Sequence, residues 1–177
     1  MIISAIIITY NEEKNIRDCL ESLKWVDEII VVDAESQDKT AKIAEELGAR
    51  VYSEEWQGYG KQKNYALSKA VGDWILSLDA DERITPELAQ EIQGILAHPS
   101  FSGYEIPRKA YFLGRWIRYG GWYPGYVLRL FRKGKGRFIE KEVHEYVKME
   151  GVRRQEEGTE AQRHRGTEES MSLEQGE

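Results

Sequence analysis

The feature that most restricts how this chain can fold is an alternation of short apolar runs with stretches of helical spacing. Met1–Thr9 is rich in Ile and carries no charge, which suits a strand covered on both faces. Asn11–Leu23 follows, with Ile16, Cys19, Leu20 and Leu23 at helical intervals. Glu28–Asp33 (EIIVVD) reads as a second buried strand, Lys39–Leu47 as a second helix closed by Gly48, and Ala49–Ser53 as a third strand. Gly60–Ala70 then reads as a helix and Trp74–Leu78 as a fourth strand. Thr85 caps a further helix that opens on Pro86 and runs to His98-Pro99. Repeated strand–helix units on this spacing predict an α/β fold, a mostly parallel sheet flanked by helices, with an extended and mixed region after Pro99.

At 177 residues, with 41% hydrophobic and 11% aromatic content, the chain has material for one sizeable core. The expected organisation is a single domain over 1–151, split into a first half over about 1–98 and a mixed region over about 99–151. Residues 152–177 are crowded with Glu and Arg and lack aromatics, which predicts a charged, disordered tail. Cys19 is the lone cysteine, so no internal disulfide can form, and no leader peptide is recognised at the N-terminus. A cytoplasmic setting is the expectation. No apolar run approaches the ~20 residues of a spanning helix, so membrane contact would be peripheral.

The net charge of −6 is unevenly placed. Between Glu105 and Glu140 the chain has no acidic residue, nine Lys or Arg, and nine aromatic residues. That mixture suits an anionic surface offering phosphate and sugar faces, and it equally suits Arg stems and aromatics packing a second subdomain. The overall acidity argues against a general nucleic-acid binder.

In open α/β sheets ligands sit beyond the carboxyl ends of the strands. Here those ends are polar and acidic: Thr9-Tyr10-Asn11-Glu12, Asp33-Ala34-Glu35-Ser36-Gln37-Asp38 and Asp79-Ala80-Asp81-Glu82. Alternate carboxylates leaving a strand can point to one side and share a hard cation, Mg²⁺ or Mn²⁺, whose other ligands come from a diphosphate. Acids also sit favourably before a helix such as that at Thr85, so D-x-D by itself leaves a plain solvated turn open.

The segments Ile7–Ile16 (IITYNEEKNI), Val31–Thr40 (VVDAESQDKT) and Gly72–Glu82 (GDWILSLDADE) resemble glycosyltransferase family 2, over roughly Met1 to Gly151. Trp122-Tyr123-Pro124, Arg129-Leu130-Phe131-Arg132 and Val143-His144-Glu145 look like the subgroup acting in lipopolysaccharide core biosynthesis. The resemblance implies a GT-A, Rossmann-like fold. It further implies that Thr9, Tyr10, Asn11, Glu12 and Asp33 serve the base and ribose of a nucleotide-sugar donor, with Lys63 nearby. By the same resemblance Asp79 would face the ribose and metal, and Asp81 would be the main protein ligand of Mg²⁺ or Mn²⁺, with His144 a further candidate. Glu145 is the candidate base of a single inverting displacement. Trp122, Tyr123 and Arg129 are the candidate acceptor contacts, the acceptor being a glycolipid or saccharide at the inner face of the cytoplasmic membrane. Glu35 departs from the pattern, standing where a glycine is frequent.

Two rival readings belong to other classes. One is a non-catalytic nucleotide-sugar binding module, expected if the charged tail replaces ordered chain and costs the acceptor side. The other is a nucleotidyltransferase, against which stands the lack of a glycine-rich, Arg-containing loop after the first strand. Neither G-x-G-x-x-G nor G-x-x-x-x-G-K-[ST] occurs at that place. Gly58-Tyr59-Gly60 reads as a turn before the following helix.

Overall fold

The computed structural model describes residues 1–109, 111–112, 115–116, 125–139, 146–149 and 173–175. Four parallel strands form its centre: β1 (Ile3–Thr9), β2 (Glu28–Asp33), β3 (Arg50–Ser53) and β4 (Trp74–Asp79), in the spatial order β3-β2-β1-β4. Helices α1 (Ile16–Glu21), α2 (Thr40–Glu46) and α3 (Tyr59–Lys69) connect them. All seven residues of β1 are buried, and the pleat sends them alternately to two layers. Ile3, Ala5 and Ile7 join Cys19, Leu20, Ala44 and Trp74 in one layer. Ile6 and Ile8 join Ala66, Phe131 and Phe138 in the other. A strand buried on both faces is apolar throughout, which is why Met1–Thr9 carries no polar/apolar alternation.

Beyond β4 the sheet becomes mixed. β5 (Glu82–Ile84) leaves a tight turn after β4, and α4 (Pro86–Ala97) follows, its Thr85 Oγ1 accepting the Leu88 N–H at 3.2 Å. β6 (Gly103–Lys109) pairs with β9 (Gly125–Arg132), and β9 pairs with β4 so that Leu76 lies opposite Leu130. Two short pairs complete the region: β7 (Tyr111–Phe112) with β8 (Arg115–Trp116), and β10 (Gly136–Ile139) with β11 (Tyr146–Met149). β12 (Leu173–Gln175) lies between β6 and β5, parallel to β6 where the other pairings beyond β4 are antiparallel. Among the described residues no helix is long and apolar enough to cross a membrane.

β12 puts residues 173–175 of the expected disordered tail in a strand, and the first helix also differs from the sequence expectation. The first helix is short, because Asn11 takes a left-handed φ of 53° and residues 12–15 turn before the Ile16 N–H reaches the Glu12 carbonyl at 2.9 Å. The stretch after Asp81, for which the sequence leaves a plain turn before Thr85 open, contributes the three-residue strand β5. Gly72 sets the approach of β4 to β1: a Cβ there would meet Ser4 Oγ at 2.6 Å and the Ile2 carbonyl at 2.8 Å. No side chain fits in that gap.

Candidate functional site

From β1 the chain steps outward to β2 and β3, then returns across β1 to β4, so the order reverses between β1 and β4. Loops leaving neighbouring strands part at such a point and leave a crevice. A cleft of about 1000 Å³ opens there, walled by Thr9, Tyr10 and Glu12 after β1, Ala34, Glu35 and Gln37 after β2, and Asp79, Ala80 and Asp81 after β4. Glu55, Trp56 and Tyr59 close its remaining side. Five of the described lining residues are carboxylates and none is Lys or Arg.

Two loops shape the β1–β2 side through side-chain bonds to backbone. Asp33 is 3% exposed, and its two oxygens accept Ser36 N–H at 2.8 Å and Ser36 Oγ–H at 2.6 Å. Ser36 Oγ accepts the Asn11 N–H and Asn11 Oδ1 accepts the Gln37 N–H, each at 2.8 Å. Thr40 Oγ1 accepts the Glu12 N–H at 2.8 Å, while the Glu12 carboxylate accepts from Asn15 Nδ2 at 2.9 Å. Asp33 and Asn11 therefore lock the loops together, while Thr9, Tyr10 and Glu12 lie on the cleft wall. Thr9 Oγ1 is buried with no hydrogen-bond partner among the described residues.

Glu35 adopts φ 59°, which explains why glycine suits this place. Left-handed backbone costs an L-residue about 1–2 kcal/mol, partly offset in a glycine variant by the freer unfolded chain. Glu35→Gly is expected to hold or raise stability by up to about 1 kcal/mol, and Glu35→Val to lower it by about 1–2 kcal/mol. Urea midpoints of the two variants check this, and equal midpoints would count against it.

The β4 end separates two carboxylates that the sequence presents as a pair. Asp79 receives Lys63 Nζ on Oδ1 at 2.8 Å and Arg129 Nη2 on Oδ2 at 2.7 Å. Arg129 Nη2 also meets Glu82 Oε1 at 2.6 Å, and Glu82 Oε2 accepts the Asp79 N–H at 3.0 Å. Burial opposes ionisation of Asp79, but Arg129 and Lys63 outweigh it and hold the carboxyl well below the usual carboxylate range. Burial pushes Glu82 up, against the pull of Arg129. Burial also pushes the Cys19 thiol far up, so it stays protonated, with Sγ 3.7 Å from the Asp79 carbonyl.

Asp81 is different. Its carboxylate takes a hydrogen bond from its own backbone N–H, no other described residue bonds or pairs with it, and burial followed by the negative charge of Asp79 pushes it up. A bound cation would relieve both effects. No three His, Cys, Asp or Glu side chains among the described residues could hold a metal by themselves. The donor set therefore fits a hard divalent ion only if oxygen atoms of a ligand complete its shell.

Lys63, expected near the nucleotide, is 2% exposed and bonds the cleft-lining Asp79 from α3. Arg129 departs from its expected place: it is 4% exposed, because β9 runs beside β4 and brings it to the buried carboxylates. The Arg129 guanidinium is thus committed to Asp79 and Glu82, not offered to an acceptor. Arg132, three residues on, lies opposite Trp74 at the far end of β4, with Cζ 5.4 Å from the Trp74 ring centre. Trp122, Tyr123, His144 and Glu145 lie outside the described residues. Sequence reasoning missed Glu55, Trp56 and Tyr59, although they follow a strand end as the other wall residues do.

Comparison with known proteins agrees with this geometry. The family model described as glycosyl transferase family 2 matches residues 4–168. The lipopolysaccharide core biosynthesis glycosyltransferase LpsC of Rhizobium meliloti is 35% identical over 161 residues, 84% of this chain and 58% of that protein. Other curated relatives are covered over only about a third of their length, as with a 53% identical uncharacterized glycosyltransferase of Rickettsia felis. Among solved structures, S. aureus TarS 1-349 in complex with UDP matches with TM-score 0.56 at 30% identity, covering 67% of this chain and 38% of that one. Glucosyl-3-phosphoglycerate synthase from Mycobacterium tuberculosis, in complex with Mn²⁺, UDP and glucosyl-3-phosphoglycerate, matches with TM-score 0.51 at 28% identity over 64% of this chain and 45% of that one. A match this long, on a sheet whose switch-point crevice carries the same sequence segments, makes the chain a member of glycosyl transferase family 2.

Proposed function

We propose that this chain carries the donor site of an inverting glycosyltransferase that depends on Mg²⁺ or Mn²⁺ and moves a sugar from a nucleotide-sugar, a UDP-sugar in first place, to a glycolipid or saccharide such as the lipopolysaccharide core. The observation that carries the reading is the contrast at the β4 end. Asp79 is neutralised from within by Lys63 and Arg129, while Asp81 enters an acidic cleft without a cationic partner among the described residues. A diphosphate could not enter such a cleft unless a cation came with it. TarS with UDP and the Mn²⁺ and UDP complex of the synthase support that choice of ligand. The long match to LpsC supports the acceptor class, and the basic, aromatic stretch between Glu105 and Glu140 supports work at an anionic membrane face inside the cell.

In this reading Thr9, Tyr10 and Glu12 receive the base and ribose, on loops held by Asn11 and Asp33. Lys63 and Arg129 keep Asp79 ionised and turned to the ribose side. Asp81, with His144 as a further candidate, would hold the metal, which supplies charge neutralisation for the departing diphosphate. Glu145 takes the proton of the acceptor hydroxyl as its oxygen bonds to the anomeric carbon; the bond from that carbon to the diphosphate oxygen breaks, and the electron pair leaves with the nucleotide. Trp122 and Tyr123 offer ring faces to the acceptor.

Calorimetric titration with UDP, GDP and their sugar conjugates, with Mn²⁺ and with chelator, tests the donor site. Metal-dependent binding of one nucleotide is expected, and its absence in a folded chain would overturn the reading. Glu145→Gln should leave donor affinity nearly unchanged and lower turnover about 10²–10⁴-fold. Equal losses in both would assign Glu145 a structural role. Donor binding without transfer to any acceptor would favour the binding-module reading.

A further inference from the structure

Three large aromatic residues stand exposed on the wall of the cleft, Tyr10 at 57%, Trp56 at 46% and Tyr59 at 57%, and of these Trp56 and Tyr59 share one loop. Their rings meet edge to face, with centres 4.8 Å apart and planes at 86°. The loop that carries them is fixed at both ends. Its Glu54 N–H donates to the Asp33 carbonyl at 3.0 Å, and the buried Gln62 donates from Nε2 to the Glu54 carbonyl at 3.2 Å and from its backbone N–H to the Gly58 carbonyl at 3.0 Å. Gly58 makes the turn between the two rings at φ 104°, a conformation that L side chains rarely adopt. With the planes nearly perpendicular, one ring of this braced loop can lie flat against a planar ligand while the other holds that ring edge-on.

The strand order indicates which part of the ligand they would meet. β3 and β4 stand three strand positions apart, roughly 14 Å at the usual inter-strand spacing. Asp81, at the β4 end, marks the diphosphate side of the proposed donor site, and Trp56 and Tyr59 follow β3 at the opposite side. A nucleoside diphosphate laid across the strand ends has its base at the end remote from its phosphates. The transferred sugar, attached beyond the diphosphate, points away from β3.

We infer that Trp56 and Tyr59 form a stacking wall for the nucleobase of the donor, an inference that rests on the donor-site reading above. The pair acts as a specificity element that grips the base face and leaves the diphosphate to the β4 end.

The test is titration of Trp56→Ala, Tyr59→Ala and Trp56→Phe with UDP and, separately, with inorganic pyrophosphate, all with Mn²⁺. Each alanine variant is expected to bind UDP about tenfold more weakly and pyrophosphate as the wild type does, with Trp56→Phe recovering most of the UDP affinity. Unchanged UDP affinity in both alanine variants would overturn the stacking wall and leave the donor site standing. Equal weakening toward UDP and pyrophosphate would also overturn it, since the loop would then be acting on the whole cleft. Failure of the wild type to bind any nucleoside diphosphate would remove the inference together with the reading it rests on.

Discussion

Arg129→Met is expected to destabilise the protein by about 3–5 kcal/mol, the usual cost of deleting one member of a buried ion pair. The guanidinium is 4% exposed and bridges Asp79 to the fully buried Glu82, so its removal leaves Glu82 with no cation in close contact among the described residues except Arg108, whose Nη1 lies 4.0 Å away. Met fills similar volume, so the loss reports charge and not a cavity. In a chain of this size the melting temperature should fall by roughly 6–20 °C. Urea unfolding of both proteins measures it, and a difference below about 1 kcal/mol would show that the carboxylates find other partners or protonate at little cost.

The pH dependence gives an independent sign. The folded-state value of Asp79 is held below its unfolded value near 3.9, so its contribution is fully present above that value and is lost as pH falls below it. Arg129 is a main cause of the lowering, so the gap between wild type and Arg129→Met should narrow as acid protonates Asp79 and Glu82. A gap that widened toward pH 3 would contradict the assigned ion pairs.

Asp81→Ala is expected to separate binding from stability. Apart from its own backbone N–H its carboxylate has no hydrogen-bond or ion-pair partner among the described residues, and it is repelled by Asp79 and Glu12, so removal should leave folding unchanged or raise stability by up to about 1 kcal/mol. Divalent-dependent nucleotide binding should nevertheless fall at least about 100-fold, because the cleft loses the carboxylate proposed to hold the cation. Calorimetry with UDP and Mn²⁺ beside a thermal melt reads both quantities. Undiminished metal dependence in the variant would take Asp81 out of that role, and a large loss of stability would show it to be part of the scaffold.

Much of the fold was legible in the sequence because its signals are local. Apolar runs such as Met1–Thr9 and Glu28–Asp33 declare strands buried on both faces, and Thr85-Pro86 declares a helix start, through the chemistry of neighbouring residues alone. Parallel strands joined by helices then bring the residues after β1, β2 and β4 to one edge, so Thr9, Tyr10, Glu12, Asp79 and Asp81 are gathered by the strand pattern alone. What the sequence could not rank is how those carboxylates divide their work. Asp79 and Asp81 are two residues apart and chemically identical, yet one is clamped by Lys63 and Arg129 and the other is left to the cleft. That difference rests on the register of β9 against β4, which brings in a guanidinium 50 residues away. The same long-range placement buries Arg129. Periodicity and spacing report which face of an element is apolar, and only the assembled sheet determines which charge meets which across it.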